Sequence, residues 1–171
     1  MMNKTTYSIR PAVAIDVPVM LQLAAAARDI MRKSGNLHQW PDCYPSAEAF
    51  QRDIDRGGSY LMFDGERPVA TFACLPSPEP TYARIYDGQW LDDEQPYIVV
   101  HRIASLPEAH GVFTAVLDYC LEKSGNIRID THRDNRIMRH LLERHGFTCC
   151  GIILLTNGDE RLAYQRLCPA G

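Results

Sequence analysis

Residues 97–147 constrain the fold more than any other stretch. Tyr97 to Ser105 is a dense apolar run of strand length, Gly111 to Lys123 has helical apolar spacing, Ile127 to Thr131 reads as another strand, and Asn135 to His145 as another helix. Two strands separated by a whole helix cannot form a hairpin; they pair in parallel with the helix as crossover. The sequence thus predicts a βαβ unit followed by a further helix.

The flanks add to this unit. Tyr7 to Arg10 is a short strand-like opening, and Pro11 leads to Asp16, a candidate N-cap for a helix whose apolar positions are Val19, Met20, Leu23, Ala27, Ile30 and Met31. That helix should stop near Gly35, and Ser46 should cap a second one running through Phe50 and Ile54 to Gly57 and Gly58. An aromatic loop with Trp40 and Tyr44 lies between them. Ser59 to Phe63 and Val69 to Leu75 should pair antiparallel across the turn-rich link Asp64 to Pro68. Pro76, Pro78, Pro80 and Pro96, with the acidic run Asp92-Asp93-Glu94, predict a long mobile surface loop. Phe147 to Leu155 and Leu162 to Leu167 should close the chain as a hairpin about Asn157-Gly158.

Length and charge bound the function. A chain of 171 residues with 46% hydrophobic content fits one domain spanning residues 1–171. A net charge of -3 and a pI near 6.0 leave no cationic excess for phosphate backbones, so no nucleic-acid partner is expected. No apolar run approaches the roughly 20 residues needed to cross a bilayer, and residues 1–10 hold no hydrophobic leader, which predicts no membrane association and a cytoplasmic location. The cysteines, Cys43, Cys74, Cys120, Cys149, Cys150 and Cys168, are scattered and expected to be reduced. Without Cys-x-x-Cys or His-Glu-x-x-His, no metal is expected.

The element order resembles the GNAT superfamily of acetyl-CoA-dependent N-acetyltransferases over residues 7–168. His101-Arg102-Ile103-Ala104-Ser105 looks like the end of that family's fourth strand. Asp134-Asn135, then Leu141, Leu142 and Gly146-Phe147, looks like its closing motif. The resemblance implies the α/β acyl-CoA N-acyltransferase fold, a mixed central sheet of about seven strands with about four helices. It also implies transfer of the acetyl group of acetyl-CoA to a primary amine by direct attack in a ternary complex. Two departures stand out. The pyrophosphate loop matches the family pattern at a single position whether aligned by helix register (Glu108, Gly111, Phe113) or by loop length (His110, Phe113, Ala115). Leu142 stands where many members carry a tyrosine acid. An inactive CoA- or effector-binding module with the same fold is therefore the alternative. Gln39-Trp40, Tyr44-Pro45, Thr131-His132 and Asp134-Asn135 are similar to a bacterial GNAT subgroup whose members mostly have no known acceptor.

The expected site is built from these segments. Backbone N–H groups from His110 through Gly111, Val112, Phe113 and Thr114 open a helix and can cradle a pyrophosphate with help from the helix dipole. Gly111 otherwise only relieves a tight turn, and Phe113 reads better as core than as a cofactor contact. The resemblance places Ile103, Ala104 and Ser105 on a splayed strand that binds the pantetheine arm. It makes Asn135 a second contact, against the plain reading as helix N-cap.

An acceptor ammonium with pKa about 10.4 must lose a proton, a cost of roughly 4.6 kcal/mol at pH 7, so a base or a desolvated carboxylate site would help. His101 and His132, near the strand ends, are candidates, and Tyr164 is a candidate substitute acid. Trp40 and Tyr44 are candidates for the acceptor pocket. Strand alternation puts Val99, His101, Ile103 and Ser105 on one face and Val100, Arg102 and Ala104 on the other, where Arg102 needs an ionic partner. The expected partner is an amine, small-molecule or peptide, and a homodimer through the last strands is compatible with the pattern.

Overall fold

The computed structural model describes residues 5–168. Among them the strands are β1 (Ser8–Pro11), β2 (Ser59–Asp64), β3 (Arg67–Pro76), β4 (Ile98–Ser105), β5 (Asn126–Thr131), β6 (Thr148–Leu154) and β7 (Glu160–Leu167). The helices are α1 (Val17–Lys33), α2 (Ala47–Asp55), α3 (Val112–Leu121) and α4 (Arg136–Arg144). The seven strands form one sheet in the order β1-β2-β3-β4-β5-β7-β6. Only β4 and β5 pair in parallel, across the α3 crossover. The expected mixed α/β sheet with four helices is what the chain forms.

Alternation along β2 divides the core. Tyr60 and Met62 pack with α3 and α4, against Val116, Leu117, Cys120 and Leu142, whereas Leu61 packs with α1 and α2, against Met20, Leu23 and Phe50. The Ser46 hydroxyl caps α2 by accepting from the Ala49 N–H at 3.1 Å. Asp16 precedes α1 without capping it. Its carboxylate accepts from the Val13 N–H at 2.8 Å and is paired to Arg10, closing the short 3-10 turn Ala14–Asp16 instead. Asn157-Gly158 turns the β6–β7 hairpin with Gly158 at φ 89.

Two further expectations fail for physical reasons. Residues 77–97 are not a loose loop. Tyr82 and Trp90 are buried with Val99, Ile153 and Ala163. The Arg128 guanidinium is stacked 3.9 Å from both the Trp90 and Tyr97 rings and donates to the Asp92 carbonyl at 2.9 Å. Tyr86 exchanges two backbone hydrogen bonds of 2.8 Å with Ile152 on the outer edge of β6. Aromatic anchors, not turn residues, decide the path of this segment.

The second failure is alternation in β4. Thr71 pairs with Ala104 and Ala73 with His101, so Phe72 faces both Arg102 and Ile103. This bulge holds Arg102 at φ 52, a left-handed conformation unusual for a residue with a Cβ. The extra residue reverses the facing of the rest of the strand. Ala104 packs in the α1/α2 core while Val100 packs in the α3/α4 core, not on the same face as expected.

Candidate active site

The bulge sits where β4 leaves β5. The parallel ladder consists of Ile98↔Ile127 and Val99↔Arg128 alone, so from His101 onward the β5-facing edge of β4 has no strand partner. A cleft of about 770 Å³ opens on one side of this wedge and another of about 280 Å³ on the other. Met31, Ile103, Asn135 and Met138 line both, which makes them the passage between the two.

The smaller cleft is built on the start of α3. Gly111 precedes the helix at φ 72, and a Cβ there would meet no protein atom within 4 Å. The left-handed backbone, not crowding, is what calls for glycine. Ala115 is the first α3 residue to donate back to Gly111, at 3.1 Å, so the N–H groups of Val112, Phe113 and Thr114 have no helical acceptor. Apolar residues of α1 and α4, including Ala27, Ile30, Ile137 and Leu141, complete the walls. His110, Gly111, Val112, Phe113 and Thr114 all line this cleft with Ile103, Ser105 and Asn135. Ala104 does not; it is buried against α1 and α2. The Phe113 ring packs edge-on to His145 at 5.0 Å and against Phe147 at 6.4 Å, so it serves the core.

The larger cleft holds His101 between two carboxylates. Its Nε2 lies 3.5 Å from Glu79 and its Nδ1 3.9 Å from Asp130, with the imidazole about one-fifth exposed. Asp130 is oriented by the Tyr82 hydroxyl, which donates to it at 2.6 Å. Glu79 also accepts from the Thr81 N–H and hydroxyl. The bond to His101, with these weaker ones behind it, holds the Glu79 carboxyl at about 2.

Trp40 and Tyr44 line the same cleft, edge-to-face at 6.3 Å. Arg102 donates to Asp53 through two bonds of 2.6 Å and to the Tyr44 hydroxyl at 3.1 Å, which is the ion pair the sequence demanded. Asn135 caps α4 by accepting from Met138 N–H at 3.1 Å. Its amide also donates to Gln39 at 3.1 Å, joining the aromatic loop to the passage.

Two candidates stand apart from this arrangement. The His132 Nδ1 accepts the Asp134 N–H at 3.0 Å, and burial, then Arg161, lowers its pKa, so its basic nitrogen is occupied by a turn. Tyr164 is buried in the α3/α4 core and lines neither cleft. Asp53, Glu79 and Asp130 carry no local signal in the sequence. Each meets a partner far away in the chain, Arg102, His101 and Tyr82 respectively.

The fold as a whole finds a counterpart among solved structures. An acetyltransferase of the GNAT family from Streptococcus agalactiae is 30% identical over 95% of each chain, with a TM-score of 0.84. The chain belongs to the GNAT acetyltransferase family. Two more distant GNAT-fold structures share the architecture alone. The ribosomal-protein-S18-alanine N-acetyltransferase of Escherichia coli is 16% identical over 97% of each chain, with a TM-score of 0.63. A subunit of the NatC complex bound to Gag peptide and CoA is 11% identical over 95% of this chain and 98% of that one, with a TM-score of 0.63. No family model and no curated protein sequence matches the chain.

The residues of this GNAT chain fit a CoA thioester as donor. The three unpaired N–H groups at the α3 start suit a pyrophosphate, and the apolar walls with the free edge of β4 suit a pantetheine arm. Among the described residues no group of three or more His, Cys, Asp or Glu is placed to hold a metal, and no helix is long and apolar enough to cross a membrane.

Proposed function

We propose that the protein transfers the acetyl group of acetyl-CoA to a primary amine by direct attack in a ternary complex. The observation that carries this reading is the pair of clefts meeting at Ile103, Asn135 and Met138. A donor on one side and an amine on the other would touch only there. Bound acetyl-CoA supplies an electrophilic thioester carbonyl. Val112, Phe113 and Thr114 N–H groups hold its pyrophosphate. A backbone N–H of residues 103–105 on the unpaired edge polarises the carbonyl, an interaction whose loss typically costs about 3 to 4 kcal/mol. His101 takes the ammonium proton, with Glu79 and Asp130 orienting it. No described cysteine lines either cleft, and Cys120 is pushed towards its thiol form by its bond to Cys74 and by burial, so direct attack needs no acyl-cysteine.

Gly111→Trp tests the donor site. The indole would project into the open space beside the cradle, and the left-handed backbone strains the variant by roughly 1–2 kcal/mol, within the reserve of an ordinary domain. Isothermal calorimetry should show micromolar acetyl-CoA binding to the wild type and at least about 100-fold weaker binding to a folded variant. Equal affinity would move the cofactor elsewhere. A folded wild type that binds no acetyl-CoA would end the acetyltransferase reading.

A further inference from the structure

We propose that the acceptor is a free amino acid whose carboxylate is held by Arg161, an inference that rests on the amine-transfer reading above. Arg161 lines the larger cleft with 7% of its surface exposed. Its guanidinium donates only to main-chain carbonyls, Glu160 at 2.8 Å and Gln39 at 3.3 Å. Among the described residues no carboxylate lies within ion-pair distance of it. Arg102, in the same cleft, has the bidentate Asp53 partner. A buried cation supported by dipoles alone is costly, and an arriving anion relieves that cost. Asp159, also on the rim, is exposed and accepts from Asn157 at 3.0 Å, so it leaves the guanidinium free.

Strand register supplies the spacing. Ala163 on β7 pairs with Asp130 on β5, and Arg161 lies two residues earlier on the same face of β7. The two backbone positions are therefore about one pleat repeat apart, roughly 7 Å along the strands. An α-amino acid carries ammonium and carboxylate on the same carbon. With a charge-assisted hydrogen bond of about 2.8 Å at each end, it spans this distance. The ammonium then meets Asp130, Glu79 and His101, and the carboxylate meets Arg161. A simple amine or the N-terminus of a peptide leaves Arg161 unpaired, and a polyamine sets a second cation against it.

Calorimetric titration of the standard free amino acids into the full chain, with and without CoA, tests this directly, because CoA carries no acetyl group to transfer. At least one amino acid should bind, and its α-carboxamide should bind about 100-fold more weakly. Arg161→Gln should lower the amino-acid affinity by a similar factor. Arg161→Lys, which keeps charge but not the two-pronged geometry, should lower it roughly tenfold. Retained CoA binding reports that each variant is folded, and the carboxamide comparison in the wild type decides the matter even if Arg161→Gln does not fold. Equal binding of acid and carboxamide, unchanged affinity in Arg161→Gln, or no amino acid bound at millimolar concentration overturns the inference. Free-thiol release from acetyl-CoA is then read separately. Amino-acid binding without thiol release sinks the transferase reading and leaves the carboxylate site standing, whereas release with amines and carboxamides alike does the reverse.

Discussion

His101→Ala is expected to lower kcat by about 100- to 10,000-fold while acetyl-CoA affinity stays within about twofold of wild type. The imidazole lines the acceptor cleft, not the α3 cradle, so its loss should touch proton removal and spare donor binding. The kcat-pH profile supplies the sharper readout. The wild-type profile should differ in shape from that of the variant. In the variant the rise in activity should move towards the pKa of the acceptor ammonium itself. A variant within threefold of wild type, or an unmoved profile, would place the base elsewhere. Glu79 cannot fill the role, because a carboxyl held at about 2 has little affinity for an amine proton.

The same contact makes a stability prediction. Glu79 has its pKa depressed in the folded chain, so its contribution is present above the ordinary carboxylate value of about 4.3 and is lost as pH falls towards about 2. Removing His101 removes the main cause. Between pH 4.3 and 2, Tm should therefore fall less steeply in His101→Ala than in the wild type, as measured by circular-dichroism melts. Parallel curves would mean that the Glu79–His101 contact has no weight in the folded state.

The features legible in the sequence and those hidden in it differ in physical origin. The βαβ unit, the Ser46 cap and the Asn157-Gly158 turn arise from local periodicity and local backbone demands, and both are written in neighbouring residues. The α3 cradle belongs to the same class, since Gly111 and three free N–H groups are local. The bulge at Arg102 belongs to another. It exists because β3 and β4 differ by one residue in register, and no pattern within β4 announces that. Arg102 meets Asp53 across 49 positions and Gln39 meets Asn135 across 96, so both partners come from tertiary packing. Residues 77–97 read as a loose loop because prolines set the local signal, while Tyr82, Trp90 and Tyr97 supply the energy that fixes them. His132 and Tyr164 have suitable chemistry, but a turn takes the nitrogen of one and the core takes the ring of the other.

Asp53→Ala is expected to be the most destabilising single change at the site. It strips Arg102 of its bidentate partner and leaves a guanidinium that is one-sixth exposed without an ion-pair partner. Breaking a buried pair by removing one partner costs about 3–5 kcal/mol, and the partial exposure of Arg102 favours the lower end. For a chain of this length, about 3 kcal/mol lowers Tm by roughly 6–12 °C. Arg102→Gly in the Asp53→Ala background removes the orphaned charge and also suits the φ of 52 that arginine tolerates poorly. The double variant should therefore melt higher than Asp53→Ala alone, whereas independent effects would add and lower Tm further. Activity separates the remaining role of the arginine. Arg102 also donates to the Tyr44 hydroxyl, so the double variant, though more stable, should show a raised KM for the acceptor and an unchanged affinity for acetyl-CoA. Recovery of both stability and acceptor KM would show that the bulge needs no arginine and that the aromatic loop is held by packing alone.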